Sequence, residues 1–386
     1  MKDQDGQRVH QIQWSHCRPV AASIIAVWAL PQGVAVWPSE LGGMGSAPTP
    51  PPMPGCFQVI IASDSEGKFG QQCPSCGEYW RSDPWPNVCP YCGLHAEGHS
   101  FLTDAQKRYV ARYCDEFATF LSADIDGEHT IDLDAVADAV GKQTPKPKFY
   151  YAEVSQQNKF ACTSCNAFND VLGTYCYCSR CGTRNDLQEL EAGTIPRLRE
   201  RINGGGFYED CVKDAVAAFD SLVGQYVRQL VLHVPMTAGR NARFQRMRFH
   251  NLKVVETELK AAFDIDILDG LETGDVEFAT RMFYRRHVYE HNGGEADAKY
   301  VSESGDTSVR PKQALRETQE SAHRLAGLVV KMAGNLHRGF HEILQPIAAP
   351  IKRHAENMER EKRARQTLRV SPPSATNVHG PALSRL

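Results

Sequence analysis

Along the second half of the chain, apolar positions return every three or four residues with polar positions between them. Val212, Ala215, Val216, Phe219, Leu222, Tyr226 and Leu230 form one such stripe, and Phe249, Leu252, Val255, Leu259 and Phe263 form another. A third helix is predicted from about Val276 to Glu290. The longest carries Leu315, Ala322, Leu325, Val329, Met332, Leu336 and Phe340. One apolar stripe per helix is the pattern of a helical bundle. Pro346 and Pro350 close it. Residues 351–386 read as a charged helix-like stretch (Lys352, Arg353, Arg360, Lys362, Arg363, Arg365, Arg369) running into a Ser/Pro tail expected to be disordered.

Upstream the pattern is shorter and more broken. Thr103-x2-Gln106 is a capping box opening a helix through about Leu121, with Tyr109, Val110, Tyr113, Phe117, Phe120 and Leu121 on its buried face. A second short helix reads from Leu133 to Val140. Between them, Asp124-Ile125-Asp126-Gly127-Glu128 resembles a calcium loop only superficially. Its glycine falls at the fourth position instead of the sixth, and Ala135 stands where a bidentate glutamate belongs, so calcium is rejected. From Asp104 to Asp138 there are nine acidic residues against three basic, which turns this module away from a phosphate backbone. Residues 19–38 are apolar, but Pro31, Gln32 and Gly33 interrupt them, leaving a run too short to span a bilayer. A Gly/Pro stretch follows through Gly42, Gly43, Pro48, Pro50, Pro51, Pro52 and Pro54. The first ~50 residues are therefore expected to be disordered, or to be upstream sequence from a misassigned start, with Met53 the better beginning.

Cysteine spacing supplies what periodicity cannot. Cys73-x2-Cys76 is followed twelve residues later by Cys89-x2-Cys92, and Cys162-x2-Cys165 twelve residues later by Cys178-x2-Cys181. Each set offers four thiolates, as tetrahedral zinc requires, and leaves no open position for catalytic water. The repeat predicts two structural zinc ribbons, hence two bound zinc ions. Gly77, Gly93 and Gly182 follow the second cysteine of their pairs, where a positive φ is often needed. Cys176 competes as a ligand, and the repeated spacing favours Cys178. The five remaining cysteines (Cys17, Cys56, Cys114, Cys176, Cys211) are an odd number, which argues against a disulfide framework and for a reducing cytoplasm. Tyr79, Trp80 and Trp85 are expected to cover the first metal as a miniature core, with an aromatic platform for stacked bases as the sharper alternative. The formal net charge of −3 gives no global attraction to nucleic acid, so any such attraction must be local.

The local chemistry gathers at one helix end: Arg285-Arg286-His287-Val288-Tyr289-Glu290-His291-Asn292-Gly293-Gly294. Asn-Gly-Gly is a left-handed helix stop, and the helix dipole there favours cationic side chains. Arg286-x4-His291, with polar His287 after the arginine, resembles the R-x4–6-H signature of the HEPN superfamily, and the bundle over about 195–345 fits that fold. The resemblance implies a metal-independent endoribonuclease acting on RNA as a homodimer, with a defence or toxin-like role. By carry-over His291 is the acid/base and Arg286 the phosphate clamp, with His287 a second proton carrier and Arg285 an alternative clamp. Histidine titrates near neutral pH and arginine's planar fork matches a phosphate. A separate basic run of Arg240, Arg243, Arg246, Arg248 and Lys253 reads as a solvated helix face or as a track for a phosphate backbone.

The fold class expected from these patterns is mainly α, a C-terminal HEPN-like bundle with two small β zinc ribbons upstream. The domain plan is a disordered or misassigned N-terminus (1–55), ribbon one (56–100), a short acidic helical module and linker (101–145), ribbon two (146–192), the bundle (193–345) and a charged tail (346–386). Two functions fit. One is an RNA-cutting enzyme whose ribbons recognise or regulate. The other is a non-catalytic scaffold whose ribbons bind nucleic acid or a protein partner while the bundle dimerises. Neither involves a membrane.

Overall fold

The computed structural model describes residues 10–16, 23–39, 50–122, 127–141 and 154–370. Outside them lie Cys17, the start of the 19–38 apolar run, Gly42, Gly43, Pro48, residues 124–126 of the calcium-like loop, residues 142–153 and residues 371–386. The described fold is mainly α, with small upstream sheets bearing both cysteine clusters and a helical C-terminal region. No described helix is long and apolar enough to cross a membrane.

The N-terminal layer overturns one expectation. Strands β2 (Ile24–Ala29) and β3 (Ala35–Ser39) form an antiparallel hairpin, and β2 also pairs antiparallel with β4 (Phe57–Ala62), giving the order β3-β2-β4. A two-stranded parallel sheet of β1 (His10–Ser15) and β7 (Gly127–Asp132) lies beside it. Helices α1 (Asp104–Ser122) and α2 (Leu133–Gly141) cover this layer. Ile25, Val27, Val59 and Ile61 share one core with Tyr109, Val110 and Tyr113 of α1. Residues 24–39 are thus a packed part of the fold, not a disordered leader. The break at Pro31-Gln32-Gly33 is the hairpin turn: Gly33 N–H donates to Leu30 O at 2.8 Å, and Leu30 N–H to Val34 O at 2.9 Å. Gly33 has φ 81°, and a Cβ on it would fall 2.3 Å from Ala111 Cα, so only glycine lets the turn approach α1 this closely.

A chain begun at Met53 loses β2 and β3 and strands β4. Each buried Val or Ile contributes roughly 1.5–3 kcal/mol, so the layer is expected to open. Limited proteolysis should then cut within α1, and a digestion pattern identical to that of the full chain would refute this.

The two ribbons do not form separate domains. Strands β5 (Phe69–Gln72) and β6 (Tyr79–Ser82) make the first hairpin, β8 (Asn158–Ala161) and β9 (Phe168–Val171) the second, and they join edge to edge as β5-β6-β9-β8. Downstream come α3 (Asp186–Glu189), a π-helical turn (Leu190–Thr194), α4 (Ile195–Asn203), α5 (Tyr208–His233), α6 (Ala238–Arg246), α7 (Leu252–Phe263), α8 (Thr273–His291), α9 (Ala298–Ser304), α10 (Gln319–Ile343) and α11 (Ala348–Val370). The predicted stripes of α5, α7 and α10 lie in one core. Leu315 is the exception. The Thr318–Ser321 capping box starts α10 after it, and Leu315 packs instead with Val288, Ala296, Tyr300 and Val309.

Candidate metal centres and the arginine–histidine cluster

Each cysteine pair sits on the same knuckle, repeated four times. The residue after the second cysteine lies in the left-handed region: Gly77 (φ 77°), Gly93 (φ 70°), Asn166 (φ 59°) and Gly182 (φ 78°). Its N–H donates to the carbonyl of the first cysteine at 3.0, 3.0, 2.7 and 2.9 Å respectively. Three of these residues are those expected from the sequence, and the fourth position is filled by asparagine, the commonest non-glycine alternative there. The knuckles bring backbone donors to sulfur, with Ser75 N–H 3.4 Å from Cys73 Sγ and Arg180 N–H 3.4 Å from Cys178 Sγ.

The sulfurs of Cys73, Cys76, Cys89 and Cys92 all lie within 4.8 Å of one another, as do those of Cys162, Cys165, Cys178 and Cys181. Cross-pair Sγ···Sγ distances are 3.7 Å for Cys73–Cys92, Cys76–Cys89 and Cys162–Cys181, and 3.6 Å for Cys165–Cys178. Disulfides need about 2.05 Å. A metal–sulfur bond of about 2.3 Å gives a tetrahedral edge of about 3.8 Å, so the spacing fits a tetrathiolate metal site. The electrostatics agree. Burial pushes Cys89 up, and Cys92 up to about 11, while at Cys73 burial is outweighed by backbone and side-chain hydrogen bonds that bring it down. A bound divalent cation would favour the thiolate form of Cys89 and Cys92. Cys176 stands outside the quartet, buried beside the Arg184–Asp186 pair.

Each residue of ribbon two lies 89 positions after its counterpart in ribbon one, as Cys162 after Cys73 and Cys181 after Cys92. By that offset Arg81 and Asp170 are equivalents, and they face each other where β6 meets β9. A pseudo-twofold axis therefore passes between them, and opposite charges stand where an exact repeat would set like against like. Arg81 bonds Asp170 at 2.9 Å and Asp64 at 2.8 Å, all three nearly inaccessible to solvent. Trp80 is fully buried, edge-on to Phe101 with centroids 5.2 Å apart. This matches the miniature-core reading and removes Trp80 from any exposed stacking platform.

Ribbon two is fastened to the bundle by backbone and side-chain bonds. Ile347 N–H donates to Cys181 O at 2.8 Å, Arg184 N–H to His341 Nε2 at 3.1 Å, and Tyr177 OH to Gln229 Oε1 at 3.1 Å. Beneath them, the Arg184 guanidinium pairs with Asp186 and lies 4.8 Å from the Tyr177 ring centroid. Burial, with help from His341 and Arg184, lowers His337 to about 3, so it is neutral against Tyr226 OH at 2.6 Å.

At the end of α8 the neighbouring arginines have different fates. Arg285 is half-buried, like Arg286, and spends its guanidinium on Asp306 and Glu317, both at 2.9 Å, and on Tyr300 OH at 3.1 Å. It holds the fold, so the expectation of an alternative phosphate clamp fails. Arg286 is half-buried. Its Nη2 lies 3.0 Å, and His291 Nε2 lies 3.7 Å, from the same oxygen of Glu290. Arg286 Nε is buried with no hydrogen-bond partner. His287 and His291 rings are 4.6 Å apart. The helix stops as expected: Gly293 and Gly294 take positive φ, and Gly294 N–H returns to Val288 O.

His287 also lines a cavity of about 200 Å³ between α7, α8 and α9, and His250 and Asn251 connect that cavity to an open trough holding Arg243, Arg246 and Arg248. The basic run is therefore adjacent to the α8 cluster. Arg243 is paired with Glu258 across the trough. Burial and the Arg286 guanidinium lower His250. His250 was not singled out in the sequence, although an imidazole two residues beyond Arg248 was a readable signal; Glu290, readable as the complement of a cationic helix end, does pair with Arg286. Compared with models of known protein families, with curated proteins and with solved structures, the chain gives no match.

Proposed function

We propose that the protein is a zinc-ribbon, HEPN-type endoribonuclease that cuts RNA without a catalytic metal. The observation carrying this reading is that Arg286 and His291 address one carboxylate oxygen while Arg286 Nε has no acceptor. A buried unpaired donor calls for a partner. A phosphodiester displacing Glu290 gives Arg286 a bidentate acceptor and stands near His291, whose Nε2 is 3.7 Å from that Glu290 oxygen and must swing inward for proton transfer. His287, its ring tilted against His291 with centroids 4.6 Å apart, is the second proton carrier. The 2′-hydroxyl attacks phosphorus as one imidazole takes its proton, and the leaving 5′-oxygen receives a proton from the other. A symmetric dimer through the bundle doubles the motif. The two tetrathiolate sites hold zinc, fix the ribbons and supply no chemistry. The protein acts in the cytoplasm, where thiolates stay reduced.

One observation favours a second reading: Glu290 already occupies the position a phosphate needs. If it is never displaced, the protein is a binding scaffold whose ribbons engage nucleic acid or a protein. RNA incubated in magnesium-free buffer with EDTA and a chain shown to retain both metal equivalents separates the two. Cleavage by the wild type that falls at least a hundredfold in His291→Ala supports the enzyme. RNA binding without cutting, unaltered by that substitution, supports the scaffold.

A further inference from the structure

The cavity beside His287 is smaller than the pockets of about 300–1,000 Å³ that take drug-sized ligands. It suits a single planar heterocycle. Its inner walls are apolar and aromatic, from Leu252, Phe283 and Val288, and Tyr284 stands at the side. The rim is polar in a particular way. Lys299 and Glu303 are four residues apart on α9 and so share a face. Both line the cavity, yet neither side chain makes an ion pair or hydrogen bond among the described residues. The neighbouring Asp297 differs, because its carboxylate is spent on Tyr300 N–H at 2.6 Å and Asn292 Nδ2 at 2.9 Å. The free carboxylate of Glu303 beside the free ammonium of Lys299, with the Lys253 ammonium elsewhere on the lining, is what the cavity offers a ligand.

We propose that this cavity seats a guanine base. An extruded base is read on its Watson–Crick edge and stacked on aromatic side chains. Guanine alone presents two adjacent donors, N1–H and N2–H, next to an acceptor, O6. A carboxylate accepts both donors in parallel and an ammonium donates to O6, which matches Glu303 and Lys299. Adenine and cytosine give a carboxylate one donor beside an acceptor, and uracil's single N–H lies between two carbonyls. The base then lies against the aromatic wall of Phe283 and Tyr284, and its phosphate leaves the cavity past His250 toward Arg248 and the trough. The inference rests on the RNA reading for its biological sense, since the cavity opens beside His287, but the binding it claims is measurable without cleavage.

The test is titration of the full zinc-loaded chain with the four nucleoside 5′-monophosphates, followed by calorimetry. GMP is expected to bind at least tenfold tighter than AMP, CMP or UMP, as a bidentate contact provides. Glu303→Gln should abolish that preference and Lys299→Ala should weaken GMP binding, both with unchanged melting temperatures because the side chains are exposed. Equal affinities, no nucleotide binding, or a guanine preference that survives in Glu303→Gln would overturn the proposal. A guanine preference in a chain that never cuts RNA upholds the pocket and sinks only the nuclease. Cutting without preference for the base beside the scissile bond, and without GMP binding, does the reverse.

Discussion

The Cys178→Ser chain is expected to hold one metal equivalent where the wild type holds two, and to melt far earlier. A structural tetrathiolate site is worth about 10–16 kcal/mol in isolated zinc peptides. That is as much as a whole domain's stability of about 5–15 kcal/mol, so losing one ligand unfolds the ribbon. The damage should not stop there. Cys181 O holds Ile347 just past α10, and Arg184, three residues after Cys181, holds His341 on its last turn. Amide exchange in α10 from His337 to Ile343 should therefore quicken. Cys89→Ser should lose one equivalent as well, but disturb this turn less, because no ribbon-one knuckle bonds to Ile347 or His341. Elemental analysis and hydrogen exchange decide the matter. Two metal atoms still bound in Cys178→Ser would mean that Cys176 serves as a ligand.

The two four-cysteine clusters were legible in the sequence because cysteine spacing fixes knuckle geometry locally. Each N–H to C=O closure spans only five residues, so no distant contact has to be known. The bundle was legible for a similar reason, as one apolar stripe per helix survives whatever the helices pack against. What could not be read is pairing between segments far apart in the chain. Nothing local marks β2 as the centre of a three-stranded sheet. Its apolar run resembles a leader, and Gly33 shows its purpose only once Ala111 of α1 lies against it. The fusion of the ribbons was equally hidden: the offset of 89 between cysteine sets makes Arg81 and Asp170 equivalents, but only the β6–β9 pairing sets them opposite each other. At the α8 terminus, sequence located the cluster but could not apportion it. Arg285 and Arg286 differ in which face of one helix they occupy, and only Asp306, Tyr300 and Glu317 from later segments decide which of them is free.

That division yields the second large effect. Arg285→Ala leaves Asp306 and Glu317 as buried carboxylates, each with a 1% exposed side chain, without their shared cation. Removing one partner of a buried ion pair costs about 3–5 kcal/mol, or a melting shift on the order of 10 °C for a unit of this size. Arg286→Ala breaks a pair with the more exposed Glu290 and should cost under about 1 kcal/mol, and under the proposed nuclease function it should also remove RNA cleavage. The pH profile separates the two further. Burial alone would raise Asp306, but hydrogen bonds from Ser308, Arg285 and Tyr300 outweigh it and hold the carboxyl well below the usual range. A depressed carboxyl contributes stability that is complete above its unfolded value of about 3.9 and is lost as pH falls through the folded value. Wild type and Arg286→Ala should therefore lose stability together below about pH 4, whereas Arg285→Ala, already lacking one of those bonds, should start lower and lose less. Thermal melts of the three chains from pH 7 to pH 3 test this. Parallel curves for all three would show that Arg285 does not hold the Asp306 carboxylate in place.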